Sequence, residues 1–135
     1  MNGLKEHHGD VEKITDVETH HGNNYGYIRI RMILSNGDFL EVAEYFVIQD
    51  GKICVSRYRY QWMNPTQQVL KKRWDNTKHF NELYNFPHHI HIDSETYVVP
   101  GWELSIIELL DLLEKDINNI KDVILSEEKD QSEKS

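Results

Sequence analysis

Tyr25-Gly26-Tyr27-Ile28-Arg29-Ile30-Arg31-Met32-Ile33-Leu34, followed by Ser35-Asn36-Gly37-Asp38, decides how this chain folds. Ile28, Ile30, Met32 and Leu34 fall on one parity, and Tyr25, Tyr27, Arg29 and Arg31 on the other. Side chains of a strand point alternately to its two faces, so this period of two predicts a half-buried strand. Asn36-Gly37 supplies the backbone conformations of a tight hairpin turn. The next strand must therefore run back antiparallel beside the first.

Working outward, Phe39–Ile48 repeats the alternation with Leu40, Val42, Phe46 and Ile48 on one face. Glu44 interrupts that face, which predicts a half-buried carboxylate paired with an arginine such as Arg73 or with a histidine. Asp50-Gly51 marks a second turn. Lys52–Trp62 is a third long strand, with Cys54, Ser56, Tyr58, Tyr60 and Trp62 in phase. The tyrosines and Trp62 read as core, and Cys54 as a small buried residue among them. Met63-Asn64-Pro65-Thr66 turns again into Val69–Asp75.

Before this run, Val11–His21 reads as an edge strand. After it comes a loop from Asn76 to Phe86, a strand at His88–Ile92, and Thr96–Val99 extending it or hairpinning back. Glu103–Val123 changes period: Leu104, Ile107, Leu110, Leu113 and Ile117 sit at helical spacing, joined by Ile106, Leu109 and Ile120. Ser105 or Gly101 marks its start. The predicted fold is α+β: a bent antiparallel β-meander of five or six strands covered by a C-terminal α-helix. Residues 1–10 read as a flexible N-terminus, 11–125 as a single domain, and 126–135 as a disordered acidic tail.

The 135 residues suffice for one such domain. The net charge of −8 is uneven: residues 1–24 and 103–135 are acidic, and residues 25–102 carry nine bases against eight acids. The whole surface is thus not a polycation, but a local basic face is open to it. One cysteine forms no internal disulfide, which fits a reducing compartment. No apolar run has signal-peptide or membrane-span length. These features lead us to expect a cytoplasmic protein with no membrane partner.

The densest chemistry lies between Arg73 and His91, which holds four of the eight histidines: His79, His88, His89 and His91. Arg73, Trp74, Asp75 and Asn76 open the stretch. Imidazole near its ordinary pKa donates, accepts or binds metal around neutral pH. His89 and His91 share one side of a short strand, and Asp93 continues that side. Two histidines and a carboxylate suit a transition metal, but the spacing matches no strong metal motif. Acid–base chemistry by His89, His91 and His79, with Asp75 orienting them, is the reading taken forward; it needs no metal or other cofactor.

A second constellation is basic and aromatic. Arg29 and Arg31, Arg57 and Arg59, and Lys71 and Arg73 each share a face of their own strand, with Tyr25 and Tyr27 beside the first pair. If the register aligns them, one face carries six cations with rings among them. Arginine forks onto phosphate, and rings stack on unpaired bases. The plain alternative is a solvated face, with Glu41 pairing some of the arginines.

At Arg73-Trp74-Asp75-Asn76 and Phe86-Pro87-His88-His89-Ile90-His91 the chain resembles the TumE family of toxins, from bacterial and archaeal toxin–antitoxin pairs. The likeness runs back through Leu40–Tyr45 and Tyr58–Trp62, and forward through Val98-Val99-Pro100 and the helix. It departs at Gln61, where the family often has histidine. It departs again at Asn76-Thr77-Lys78-His79-Phe80, where the family often reads Asn-Ala-Pro-His-His. The resemblance implies a growth-inhibiting toxin neutralised by a cognate antitoxin, usually a helix-turn-helix protein. Our own reading of the residues adds an RNA-directed activity, a ribonuclease on single-stranded RNA. Arg57, Arg59, Arg73 and Asn76 would hold the RNA, and the histidines would move the proton. Two alternatives stand beside it: a binding module that blocks a cellular partner without chemistry, and a metal-dependent hydrolase using the histidine cluster.

Overall fold

The computed structural model describes residues 10–118. The expectations for the first nine residues, for the acidic tail and for the helix beyond residue 118 lie outside those residues.

Seven strands form one sheet: β1 (Val11–His21), β2 (Tyr25–Leu34), β3 (Phe39–Gln49), β4 (Lys52–Met63), β5 (Leu70–Asp75), β6 (His89–Ile92) and β7 (Val98–Pro100). Their order in the sheet is their order in the chain, and every neighbouring pair is antiparallel. The sheet thus has more strands than the five or six expected, because β7 hairpins back as a separate short strand. The β2–β3 turn works as the sequence predicts: Gly37 has φ 90°, and its N–H donates to Leu34 O at 2.9 Å. The start of β1 is tied in as well, since Ser35 N–H donates to Asp10 O at 2.7 Å.

One face of the sheet is the core. Ile30, Val42, Tyr60, Trp74, Ile90 and Val99 are successive register partners, making an apolar row across six strands. Residues 106–118 form helix α1. Leu109, Leu110, Leu113 and Ile117 of α1 are buried in one cluster with these strand residues. Each such side chain contributes about 1.5–3 kcal/mol. Of the expected face, Leu109, Leu110, Leu113 and Ile117 are buried, Ile107 is exposed, and Leu104 is buried ahead of the helix. The start of α1 is a capping box. Ser105 Oγ accepts the Glu108 N–H at 3.2 Å, and Glu108 Oε1 accepts the Ser105 N–H at 3.3 Å. No helix among the described residues is long and apolar enough to cross a membrane.

Two sequence readings are corrected here. Cys54 is exposed rather than buried. A β-bulge sits between Tyr45 and Phe46, where Arg57 pairs with Tyr45 but Val55 pairs with Phe46. The extra residue, Ser56, reverses the phase of everything before it, so Cys54 leaves the face of Tyr58 and Tyr60. Glu44 is half-buried as predicted, but its partner is the Tyr60 hydroxyl, which donates to Oε1 at 2.7 Å. Among the described residues no arginine or histidine pairs with it.

Candidate functional site

The register that builds the apolar row builds a polar one on the other face. Arg29, Ala43, Arg59, Asp75 and His89 are successive partners across β2–β6. Beside them run Arg31, Glu41, Gln61, Arg73 and His91. Hairpin pairing of β5 with β6 sets Asp75 opposite His89 and Arg73 opposite His91, so their side chains emerge together.

Asp75, His89 and His91 are all buried, at 3–4 % exposure, although they lie away from the helix. His89 Nε2 is 2.8 Å from Asp75 Oδ1, and His91 Nε2 is 3.7 Å from Asp75 Oδ2. Each ring's other nitrogen faces a main-chain carbonyl: His89 Nδ1 is 2.9 Å from Pro87 O, and His91 Nδ1 is 3.0 Å from Glu95 O. The Asp75 carboxylate is held independently. Its Oδ1 accepts the Thr77 N–H at 3.0 Å, and its Oδ2 accepts Arg73 Nε at 3.3 Å. One ligand atom from each of Asp75, His89 and His91 falls within 4.8 Å of the others, so these three residues are the ones able to hold a metal ion.

Phe80 covers the two imidazoles, with ring centroids 5.1 Å from His89 and 5.9 Å from His91, both edge-on. It does so with φ 60°, a conformation that costs a non-glycine residue about 1 kcal/mol or more. A cleft of about 310 Å³ lined by Thr77, His79, Phe80 and Glu95 opens onto the cluster. Burial lowers the His91 pKa below the ordinary histidine value, and the charges of Arg73 and His89 add to this. The Glu95 carbonyl and Asp75 act the other way without prevailing, so the ring is neutral around pH 7.

The arginines divide into two groups. Arg29 pairs with Glu18, and Arg31 with Glu41 and Asp16. Arg73 forks onto Glu95 at 2.6 and 2.5 Å, so its charge is committed to carboxylates. Lys71 leaves the face altogether. A bulge between Trp62 and Met63 turns it to Asp38, 2.5 Å away, above the Trp62 ring. Arg57 and Arg59 are exposed, and among the described residues no carboxylate pairs with either. Arg57 lies over the Tyr45 ring at 5.1 Å. Tyr45 in turn packs on Tyr27 and Tyr25, with centroids 5.7 and 6.4 Å apart. Arg59 donates to Gln61 at 2.6 Å.

Of the residues singled out in the sequence, Asp75, His89, His91 and Arg73 come together, and His79 lines the same cleft. Arg57 and Arg59 stand next to it on a shallower depression that shares Thr77. Asn76 does not join them. Its Oδ1 accepts the Tyr58 N–H at 2.9 Å and its Nδ2 donates to Ser56 O at 3.1 Å, which clips the bulge in β4. His88 projects to the helix side, its Nδ1 2.7 Å from the Tyr58 hydroxyl. Glu95 went unsuggested, since it shares neither a strand nor a motif with the histidines, and Phe80 is marked in the sequence only as the residue standing where the family often has a second histidine.

The chain belongs to a family of toxins. The family model described as Toxin TumE matches residues 4–119, most of the chain, and the protein belongs to the TumE toxin family. Membership implies a cognate antitoxin. Comparison with curated proteins and with solved structures returned no match.

Proposed function

We propose that this toxin acts on RNA as a ribonuclease, with the bond under attack brought to the Asp75–His89–His91 cluster. The observation that carries the reading is the position of Arg57 and Arg59. They are exposed, without a carboxylate partner among the described residues, and Arg59 is the register partner of Asp75. Two exposed guanidinium groups beside three clustered tyrosines offer phosphate contacts and faces for unpaired bases at one place. The net charge of −8 opposes a broad grip on duplex backbone, so single-stranded RNA is the fitting substrate. The cognate antitoxin in this reading is a helix-turn-helix protein.

The chemistry needs an acceptor for the proton of an attacking oxygen, and a neutral imidazole such as His91 is one source of it. His79 at the mouth of the cleft and Arg73 within it position the chain. Substituting Arg57 and Arg59 together by serine tests the assignment, because both side chains are exposed. Toxicity in a growth assay should fall sharply at unchanged melting temperature. Purified protein should bind single-stranded RNA with a shallower salt dependence than the parent. A folded double variant as toxic as the parent overturns the reading.

A further inference from the structure

We infer that Asp75, His89 and His91 form a binding site for one divalent transition-metal ion, zinc above all. The inference deepens the ribonuclease reading and rests on it only for what the ion does; the binding itself is read without RNA.

The first argument is tautomeric. A main-chain carbonyl only accepts hydrogen bonds. Pro87 O and Glu95 O lie 2.9 and 3.0 Å from the two Nδ1 atoms, so both rings carry their proton there. A ring neutral in that tautomer presents its Nε2 as a bare lone pair. Such carbonyl partners are the usual way in which a protein turns imidazole lone pairs toward a metal.

The second argument is convergence. Both Nε2 atoms face one carboxylate, at 2.8 and 3.7 Å. Bonds of about 2.0–2.1 Å place neighbouring donors of an octahedral or tetrahedral ion about 2.8–3.4 Å apart. The His89 spacing to Oδ1 lies at the lower end of that range and the His91 spacing to Oδ2 a few tenths of an ångström beyond it. Two imidazoles and one carboxylate are a full protein ligand set for a metal that keeps further positions open. The cleft past Thr77, His79 and Phe80 leads to those positions.

The third argument is charge. Arg73 lies beside the site, but Glu95 forks onto it. With Arg73 and Glu95 balanced against each other, the Asp75 carboxylate is left facing both Nε2 atoms. Two further hydrogen bonds, from Thr77 N–H and Arg73 Nε, fix that carboxylate.

The competing account is a structural ion pair, with His89 protonated on Asp75. It accounts for the short His89 contact but not for the aim of His91 Nε2 at the same carboxylate. His91 Nε2 at 3.7 Å is too far for a hydrogen bond, yet the ring is buried and aimed at the same carboxylate. A metal accounts for both rings. An ion here would also lower the pKa of a bound water toward neutrality, supplying the nucleophile in place of imidazole proton transfer.

The test uses full-length protein stripped with chelator and titrated with zinc chloride in a calorimeter, with bound metal counted by mass spectrometry. One ion per chain is expected, with a rise in melting temperature. His89→Gln and His91→Gln should each weaken binding by about 100-fold or more, while His20→Ala with His21→Ala on the exposed β1 should not. X-ray absorption of the zinc-loaded parent should show two imidazoles in the first coordination sphere, and this measurement needs no variant to fold. No binding by the folded parent overturns the inference. So does undiminished binding by a folded His89→Gln/His91→Gln variant, or a spectrum lacking imidazole. Zinc bound as expected, with no action on RNA, overturns the ribonuclease reading and leaves the metal site standing.

Discussion

Asp38 Oδ2 accepts the indole N–H of Trp62 at 2.9 Å, tying the β2–β3 turn to the far end of β4. The same oxygen receives Lys71 Nζ at 2.5 Å and Asn36 Nδ2 at 3.0 Å. Asp38 itself is buried. Asp38→Ala leaves the indole N–H without an acceptor in a dry place, at a cost of about 1–3 kcal/mol. The urea midpoint should fall accordingly. A midpoint unchanged by the substitution would mean that water or another group takes over the Trp62 donor.

Tyr60 donates its hydroxyl toward Glu44 Oε1 at 2.7 Å and Leu104 O at 2.9 Å. Burial, before any charge effect, raises the pKa of Tyr60 and of Tyr58 above the ordinary tyrosine value. A raised folded-state pKa contributes stability that is whole below the unfolded value of about 10 and is lost as pH rises through the folded one. Denaturation midpoints measured from pH 9 upward should therefore decline beyond about pH 10. Tyr60→Phe should start about 1 kcal/mol lower at neutral pH and decline less steeply. Parallel curves for parent and variant would exclude Tyr60 from the alkaline transition.

Ser105 and Glu108 close the N-terminus of α1 reciprocally. Ser105→Ala should cost about 1 kcal/mol, and Ser105→Gly only a few tenths. Thermal melts of the two variants give the comparison, and an alanine variant as stable as glycine would show the cap to be idle.

Cys54 lies on the exposed arm of β4. A thiol reagent should label it in the native protein at the rate of a free thiol, with no unfolding step. Cys54→Ser should leave the melting temperature within about 0.5 kcal/mol equivalent of the parent. Labelling that tracks global unfolding would restore the buried assignment.

The strands were legible because alternation in β2 and β3 is nearly unbroken and the turns between them carry Asn-Gly and Asp-Gly. What defeated the reading was local. The bulge at Ser56 flips the parity of Cys54, and no composition rule marks where an extra residue enters a strand. Lys71 fails for the same reason at the second bulge. The joining of Asp75 to His89 and His91 followed from treating β5 and β6 as neighbours. Glu95 and Phe80 did not follow, because loop residues reach the site through backbone conformations that the sequence does not display. Asn76 shows the limit from the other side: a polar residue adjoining a site motif serves the bulge and not the cleft.

The sheet order β1 to β7 repeats the order of synthesis. Each strand finds its partner in the segment made just before it, so the sheet has short loops to close and little entropy to overcome at each step. It can lengthen one strand at a time as the chain leaves the ribosome. Among the described elements helix α1 comes last, and it alone must reach back to cover residues laid down near the start. Until it docks, the apolar row stays wet, and the growing sheet presents its newest edge to whatever strand comes next. Stopped-flow refolding should accordingly show early sheet formation and a later step in which Trp62 and Trp74, both in that cluster, lose contact with water.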